Sequence, residues 1–172
     1  MGSPLSIRSL ERADLADALE IQSRAYPPFL VEPPEAFASR IDLEGSYCLA
    51  AVHDDALVGY LLAHRWIRQA PPPLGAVVTG QPEGDVLFIH DLAALPSERG
   101  SGVGRELVMQ AFDLAARDGL KAAELIAVEG AAPYWRRLGF EEGQPSPELS
   151  AKVAEYGSDA RWMTRAIGIA RE

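Results

Sequence analysis

The stretch from Ala94 to Leu107 (ALPSERGSGVGREL) carries the clearest chemical signal in the chain, because glycines at positions 100, 102 and 104 stand directly before a helical apolar pattern. Glycine lets the backbone turn tightly and lie close to a ligand, and it leaves main-chain N–H groups free to point at an anion. The positive end of the following helix favours the same anion. The stretch therefore predicts a phosphate-binding turn between a strand and a helix.

Two other phosphate-binding motifs do not fit this turn. The P-loop pattern requires Gly-Lys followed by Ser or Thr, whereas Gly104 is followed by Arg105 and Glu106. The dinucleotide pattern requires a glycine at the position of Arg105, and it normally follows the first strand of its fold rather than a strand in the second half of a chain. A nucleotide or dinucleotide site is therefore the weaker interpretation.

The turn does fit the pattern R-x-x-G-x-G, spelled from Arg99 to Gly104, and the stretch AxxYWRRLGF follows from Ala131 to Phe140. Together, these motifs resemble the GCN5-related N-acetyltransferase family over about residues 6–140. The resemblance implies a mixed α/β fold with a central, mostly antiparallel β-sheet flanked by helices, in which a splayed strand pair forms the acyl-CoA cleft. It also implies acetyl-CoA as cosubstrate and direct transfer of the acetyl group to a primary amine in a ternary complex.

The same resemblance assigns the pyrophosphate of acyl-CoA to the glycine turn and the pantetheine arm to the preceding strand, where main-chain groups would bind it as if it were an added strand. The residues expected to contact the cosubstrate are Leu92, Ala93, Ala94, Arg99, Gly100, Ser101, Gly102, Val103, Gly104, Arg105 and Trp135. The alternatives are a tight turn without a ligand for the glycines and a solvated surface role for the arginines.

His90 is the expected general base, because an acceptor amine is an ammonium in water and a histidine, with a pKa of about 6.5, can take its proton near neutrality. Regular strand alternation places His90 on the same face as Leu92 and Ala94, and Asp91 on the opposite face. Asp91 would join the catalytic groups only if a β-bulge redirected it. A core histidine and a structurally paired aspartate are the alternatives.

Tyr134 is the candidate general acid. The resemblance places the usual acid, a tyrosine, four residues before the glycine of the closing Gly-Phe pair, and this chain has Trp135 there. One residue turns a helix by about 100°, so Tyr134 need not reach the same point. Either Tyr134 takes over the role of the acid, or the reaction uses no side-chain acid. Trp135 is expected to pack against the thioester end or the core.

The acceptor site is expected in the irregular segment between the first two helices, together with the proline-rich loop before the long strand. Tyr26, Phe29 and Glu32 are the candidate contacts, because aromatic rings and one acid suit a cationic amine. The alternative is that they only seal a loop onto the core. A small amine, an amino acid, an aminoglycoside and a peptide N-terminus all remain open as acceptors.

The order of elements that must position these residues is β-α-α-β-β-β-α-β-α-β, in one domain over residues 1–172. Strands are predicted at 6–10, 46–52, 56–66, 86–95, 122–130 and 160–167, and helices at 14–25, 35–42, 103–117 and from Ala132 to Gly139. Asp54–Asp55 predicts a hairpin turn. The connection before the last strand is predicted to be loose, with the C-terminal strand region at about 158–167.

Composition excludes some classes of function. The net charge of −9 argues against a nucleic-acid groove. The single cysteine, Cys48, predicts a buried apolar role and a reducing, cytoplasmic setting, and no apolar stretch has the length of a membrane span. His53 and His64 lack metal-ligand grouping, so no metal is expected. A homodimer stays possible, and a non-catalytic acyl-CoA-binding domain is the alternative function.

Overall fold

The computed structural model describes residues 4–80, 83–98 and 100–168. The strands are β1 (Ser6–Ser9), β2 (Leu49–His53), β3 (Ala56–Trp66), β4 (Val86–Ala94), β5 (Ala122–Ala127), β6 (Glu141–Glu142) and β7 (Arg161–Ala166). The helices are α1 (Leu15–Ala25), α2 (Pro34–Asp42), α3 (Val103–Arg117), α4 (Ala132–Arg137) and α5 (Pro147–Ala154).

The described strands form a seven-stranded sheet in the order β1-β2-β3-β4-β5-β7-β6. The pairs are antiparallel except β4–β5, which is parallel and is therefore joined by a crossover through α3. The predicted fold class, a mixed and mostly antiparallel sheet flanked by helices, is confirmed.

Helices cover both faces of the sheet. On the α3 face, residues of α3 and α4 such as Leu107 and Trp135 bury Leu61, Ile89 and Leu125 in the largest apolar core. On the α1 face, α1 and α2 cover Tyr60 and Leu62. Next to them on that face, α5 covers Phe88 and Trp162 in a third core. We call these two faces of the sheet the α3 face and the α1 face.

Most predicted elements agree closely with the structure. The helix predicted at 103–117 has those bounds, and the other helices and strands differ at their ends by a few residues. Asp54 and Asp55 form the turn between β2 and β3, with φ values of 53° and 62° that a two-residue hairpin turn of the mirror-image type requires.

The connection before the last strand is not loose, and that prediction is wrong. It contains β6, which pairs with β7, and α5, whose Leu149 and Val153 are buried. Ser146 caps α5 by accepting a hydrogen bond from the Leu149 N–H at 3.1 Å, and Pro147 follows at the first helical position. The sequence Ser-Pro-Glu-Leu was a usable helix-start signal.

Cys48 is buried as predicted, and burial raises the pKa of its thiol to about 11. Such a thiol is not a nucleophile at neutral pH. Across the described ranges, no helix combines the length and the apolar character needed to cross a membrane. Within the same ranges, no cluster of three histidine, cysteine or acidic side chains is arranged to bind a metal ion.

Candidate active site

The site begins where β4 separates from β5. The two strands pair only from Val86–Ala122 to Ile89–Leu125, after which they diverge. A cavity of about 650 Å³ opens at this divergence, and it is lined by β4 from Ile89 to Ala94 and by β5 at Leu125 and Ile126. This is the splayed strand pair that the sequence motifs implied.

One half of the cavity lining is made largely by the backbone of the glycine turn, and we call it the glycine-turn half (Ala94, Gly100, Gly102, Val103, Gly104 and Arg105). Gly100 and Gly102 have φ values of 80° and 87°, and a Cβ on either would meet no other atom within 4 Å. The turn is therefore open in front, and α3 begins directly after it with Val103. Free helical N–H groups at this position suit an anion.

The turn differs in one respect from the prediction. The Ser101 N–H donates to the Glu98 carbonyl at 3.1 Å, and the Ser101 hydroxyl donates to the same oxygen at 2.5 Å. Ser101 therefore uses its donors to close the turn rather than to face a ligand. Arg105 is exposed in the first turn of α3. Arg99 lies outside the described residues.

Tyr134 and Trp135 line the cavity from α4, but they differ in burial. Trp135 is buried in the core on the α3 face, with its ring 5.4 Å from that of Phe140. The Tyr134 hydroxyl lies against Gly104, where a Cβ would collide with it, so the third glycine of the turn makes room for this side chain. Burial raises the pKa of Tyr134, which keeps the hydroxyl protonated.

The other half of the lining is made of side chains, and we call it the acceptor half (Tyr26, Leu30, Glu32, Leu74, His90, Asp91, Ile126, Val128 and Tyr156). Its residues come from the segment between α1 and α2, from the loop before β4, from β4, from β5 and the residue after it, and from the turn after α5. Leu30, Leu74 and Tyr156 were not predicted as site residues.

A β-bulge in β4 brings His90 and Asp91 to one face. Leu62 pairs with Asp91 and the next residue, Ala63, pairs with Ile89, so His90 is an extra residue in β4. His90 then contacts Glu32 and Asp91 contacts Tyr60, both on the α1 face. The prediction that His90 shares a face with Leu92 and Ala94 is wrong, because those two residues pack toward the α3 face.

Glu32 is buried and contacts two basic side chains, His90 and Arg40, rather than standing as an exposed acid. Its Oε1 lies 2.7 Å from His90 Nε2, and its Oε2 lies 3.1 Å from Nη1 of the fully buried Arg40. Burial raises the pKa of Glu32, but the hydrogen bond with His90 and the charges of His90 and Arg40 outweigh it, so the net pKa is lowered. Glu32 is therefore an ionised member of an Arg40–Glu32–His90 chain.

His90 is held in one tautomer by this chain. Burial lowers the pKa of His90, and the charge of Arg40 lowers it further, against the opposing effect of Glu32. A neutral imidazole must donate its Nε2 proton to a carboxylate, which can only accept. The Nδ1 lone pair therefore remains. His90 lines the cavity, and its Nδ1 atom is buried without a hydrogen-bond partner among the described residues.

Asp91 is held between two tyrosines. Tyr60 donates to Asp91 Oδ2 at 2.5 Å, and Tyr26, whose hydroxyl donates to the Leu92 carbonyl at 2.7 Å, also faces the carboxylate. Burial raises the pKa of Asp91 to about 6, although the hydrogen bond from Tyr60 and the nearby Tyr26 hydroxyl oppose the shift. Asp91 is thus mostly ionised above neutrality.

The remaining predicted acceptor residues are divided. Tyr26 lines the cavity, whereas Phe29 is 54% exposed and lies outside the lining. Tyr156, in the turn after the unpredicted α5, lines the cavity, and its buried hydroxyl has no hydrogen-bond partner among the described residues. No local pattern in the sequence connects Tyr156 to the site, because only the fold brings α5 to β4.

The splayed strands, the glycine turn and the base candidates correspond to the acyl-CoA-dependent transferases that the motifs indicated. The sequence profile of the acetyltransferase (GNAT) family matches residues 15–140, and the chain belongs to this family. An uncharacterised N-acetyltransferase of Methanocaldococcus jannaschii is 39% identical over 61 residues, which are 34% of this chain and 27% of that protein.

Solved structures show the same fold at low sequence identity. The ribosomal-protein-S18-alanine N-acetyltransferase of Escherichia coli superposes with a TM-score of 0.72 at 21% identity, covering 98% of this chain and 97% of that one. The PaiA N-acetyltransferase of Thermoplasma acidophilum, in complex with coenzyme A, superposes with a TM-score of 0.69 at 13% identity, covering 95% and 99%.

Proposed function

We propose that the protein is an acetyl-CoA-dependent N-acetyltransferase that acetylates a primary amine by direct attack in a ternary complex. One observation carries the proposal: the divergence of β4 from β5 after Ile89 gives a single cavity both an open glycine turn and the His90–Asp91 pair. The strand β4 from His90 to Ala94, about 13 Å long, separates the His90–Asp91 pair from the glycine turn. The coenzyme A bound to a structural neighbour and the acceptor named for the Escherichia coli neighbour support it.

Coenzyme A fits the residues of the glycine-turn half. Gly100 and Gly102 leave open space, and the N-terminus of the 15-residue α3 offers N–H groups to the pyrophosphate, with Arg105 beside them. Beyond Ile89, the described residues give β4 no strand partner on the side of β5, so the main chain of Leu92–Ala94 can bind the pantetheine arm. The Leu92 carbonyl already accepts from Tyr26, which orders this edge.

The thioester of acetyl-CoA supplies an activated acetyl group. The His90 Nδ1 atom takes the proton of the acceptor ammonium, directly or through a water molecule, while Glu32 stabilises the imidazolium that forms. Asp91 attracts the ammonium into the cavity. As the amine nitrogen bonds to the carbonyl carbon, the carbon–sulfur bond breaks and the Tyr134 hydroxyl donates its proton to the departing sulfur. The nitrogen then loses its second proton on becoming an amide, and this proton restores the Tyr134 hydroxyl.

Thermal unfolding with and without acetyl-CoA tests the cosubstrate. Acetyl-CoA at 100 times its Kd should add about 2.7 kcal/mol to the free energy of unfolding, a shift of several degrees, whereas ATP and NADH should add nothing comparable. A shift with NADH instead would contradict the assignment of the glycine turn.

His90→Ala tests the reaction. Amine-dependent thiol release should fall about 10²- to 10³-fold while the thermal shift with acetyl-CoA is retained. His53→Ala, at the end of β2 and outside the cavity lining, is the matched control and should retain turnover. Parallel-line kinetics would exclude direct attack, and equal rates in wild type and His90→Ala would remove His90 as the base.

A further inference from the structure

Acidic side chains outnumber cationic ones in the cavity lining. Among the described residues that line the cavity, Glu32, Asp91, Glu98 and Glu129 are acidic, and Arg105 is the one cationic side chain. Arg105 belongs to the glycine-turn half. An acceptor that reaches His90 therefore meets two carboxylates, Glu32 and Asp91, and no lining cation of the acceptor half.

Arg40 does not supply the missing positive charge to a ligand. It is fully buried behind Glu32 and is not part of the cavity lining. Its Nη1 atom contacts Glu32 at 3.1 Å and donates to the Ala36 carbonyl at 2.5 Å. Within the part of the chain that the structure describes, its Nε and Nη2 atoms have no hydrogen-bond partner, but both are buried, so a carboxylate in the cavity cannot reach them.

The wall beside these carboxylates is apolar. Leu30 and Tyr156 belong to the third core, against which Leu74, Ile126 and Val128 also pack. All five residues line the cavity. The Tyr156 hydroxyl is the single buried, unpartnered polar atom that this apolar wall contributes among the described residues.

From these observations we infer that the acceptor is a primary amine on an apolar, aryl or branched-alkyl body, with no carboxylate beside its amino group. The inference rests on the proposed function and names its substrate class. The ammonium lies at Asp91 and His90, and the body packs against Leu30, Leu74 and Ile126. A free amino acid is rejected because its carboxylate would lie beside Asp91 and Glu32 without a counter-charge.

A polyamine is rejected for a different reason. Its second ammonium group would have to lie against the apolar wall of Leu30, Leu74 and Ile126, whose side chains carry no charge. Burying an unpaired charge there costs more free energy than apolar contact with the wall supplies.

A panel of related amines tests the inference with acetyl-CoA and thiol detection. The amines are 2-phenylethylamine, L-phenylalanine, L-phenylalaninamide and spermidine. We expect kcat/KM for 2-phenylethylamine to exceed that for L-phenylalanine at least about 100-fold, because the two differ only in the carboxylate. L-Phenylalaninamide should recover most of the loss, and spermidine should be poor. Equal or better use of L-phenylalanine or spermidine would overturn the inference.

Leu74→Arg adds a positive charge to the apolar wall. It should lower the ratio of kcat/KM for 2-phenylethylamine to kcat/KM for L-phenylalanine at least about tenfold. Ile67→Arg is the matched control, since Ile67 is 54% exposed, belongs to the same loop and does not line the cavity. That variant should leave the ratio unchanged. An equal change in both variants would overturn the inference.

Calorimetric binding of the same amines to the protein saturated with coenzyme A separates the two proposals. If no amine is acetylated but 2-phenylethylamine binds and L-phenylalanine does not, the proposed reaction fails and the selectivity stands. If L-phenylalanine binds as tightly as 2-phenylethylamine, or if neither binds, the selectivity fails whatever the turnover.

Discussion

The two halves of the cavity are built in different ways. The glycine-turn half comes from one continuous stretch of chain and uses main-chain groups held by left-handed glycines. The acceptor half comes from several distant stretches and depends on side chains that neutralise or orient one another, such as Arg40, Glu32 and His90. A change in the first half should therefore alter backbone shape locally, whereas a change in the second should leave a buried charge without its partner.

Glu32→Gln should have the largest effect. It leaves Arg40 buried without a counter-charge, and we expect the free energy of unfolding to fall by about 3–5 kcal/mol. Urea unfolding measures the loss. Asp42→Asn is the matched control, because Asp42 pairs with Arg12 in the solvent-exposed surface of the protein, and it should cost less than about 1 kcal/mol. Equal losses of unfolding free energy in the two variants would contradict the distinction between a buried and an exposed ion pair.

Asp91→Asn should show that ionisation of the buried Asp91 carboxyl destabilises the folded protein. The pKa of Asp91 is raised from 3.8 to about 6, so its stabilising contribution is complete below pH 3.8 and is lost as the pH rises to about 6. The stability of the variant relative to wild type should therefore rise by about 2 kcal/mol over this range and then stay level. Urea unfolding at several pH values measures it, and a constant difference would contradict the burial of the carboxylate.

Gly102→Ala tests the half built from main chain. The left-handed φ of 87° should cost about 1 kcal/mol of stability. The displaced turn should also weaken acetyl-CoA binding about tenfold, or ~1.4 kcal/mol. Gly119→Ala is the control, because Gly119 has a φ of 84° and equally open space but lies at the other end of α3. Calorimetry should show weakened binding only for Gly102→Ala, and a similar loss in both variants would assign the effect to α3 as a whole.

Tyr134→Phe should have the smallest effect, a decrease in kcat of about tenfold, because a thiolate departs moderately well without an acid. Tyr47→Phe serves as the control, since the Tyr47 hydroxyl donates to Asp118 at 2.6 Å, away from the cavity lining. It should change stability but not kcat. Unchanged kcat in Tyr134→Phe would show that the reaction uses no side-chain acid.

The sequence predicted best what depends on neighbouring residues. The glycine turn and α3 could be located because their glycines and apolar spacing lie within one stretch, and α3 has the predicted bounds. His90 and Asp91 were singled out by residue type, but their orientation was not predictable, because a bulge depends on how β4 pairs with β3. Strand alternation alone gave His90 the wrong face.

The acceptor half was predicted less well for the same physical reason. Tyr26 and Glu32 were chosen for their chemistry, yet nothing near Glu32 in the sequence indicates that Arg40 and His90 enclose it. Tyr156 was missed because its place on the wall depends on α5, which was predicted as loose chain although Ser146 and Pro147 mark its start. Long-range packing, rather than local preference, decides these positions.

Because of the bulge, the number of residues in β4 is itself informative. Leu62–Asp91 and Ala63–Ile89 are consecutive pairs in the ladder, so the sheet has no pairing position for His90. A relative that lacked this one residue would keep the same strand pairs on both sides and so the same architecture, yet it would have no imidazole beside its cavity. The number of residues between the equivalents of Ile89 and Asp91 would then separate relatives that retain this base from those that must obtain it elsewhere.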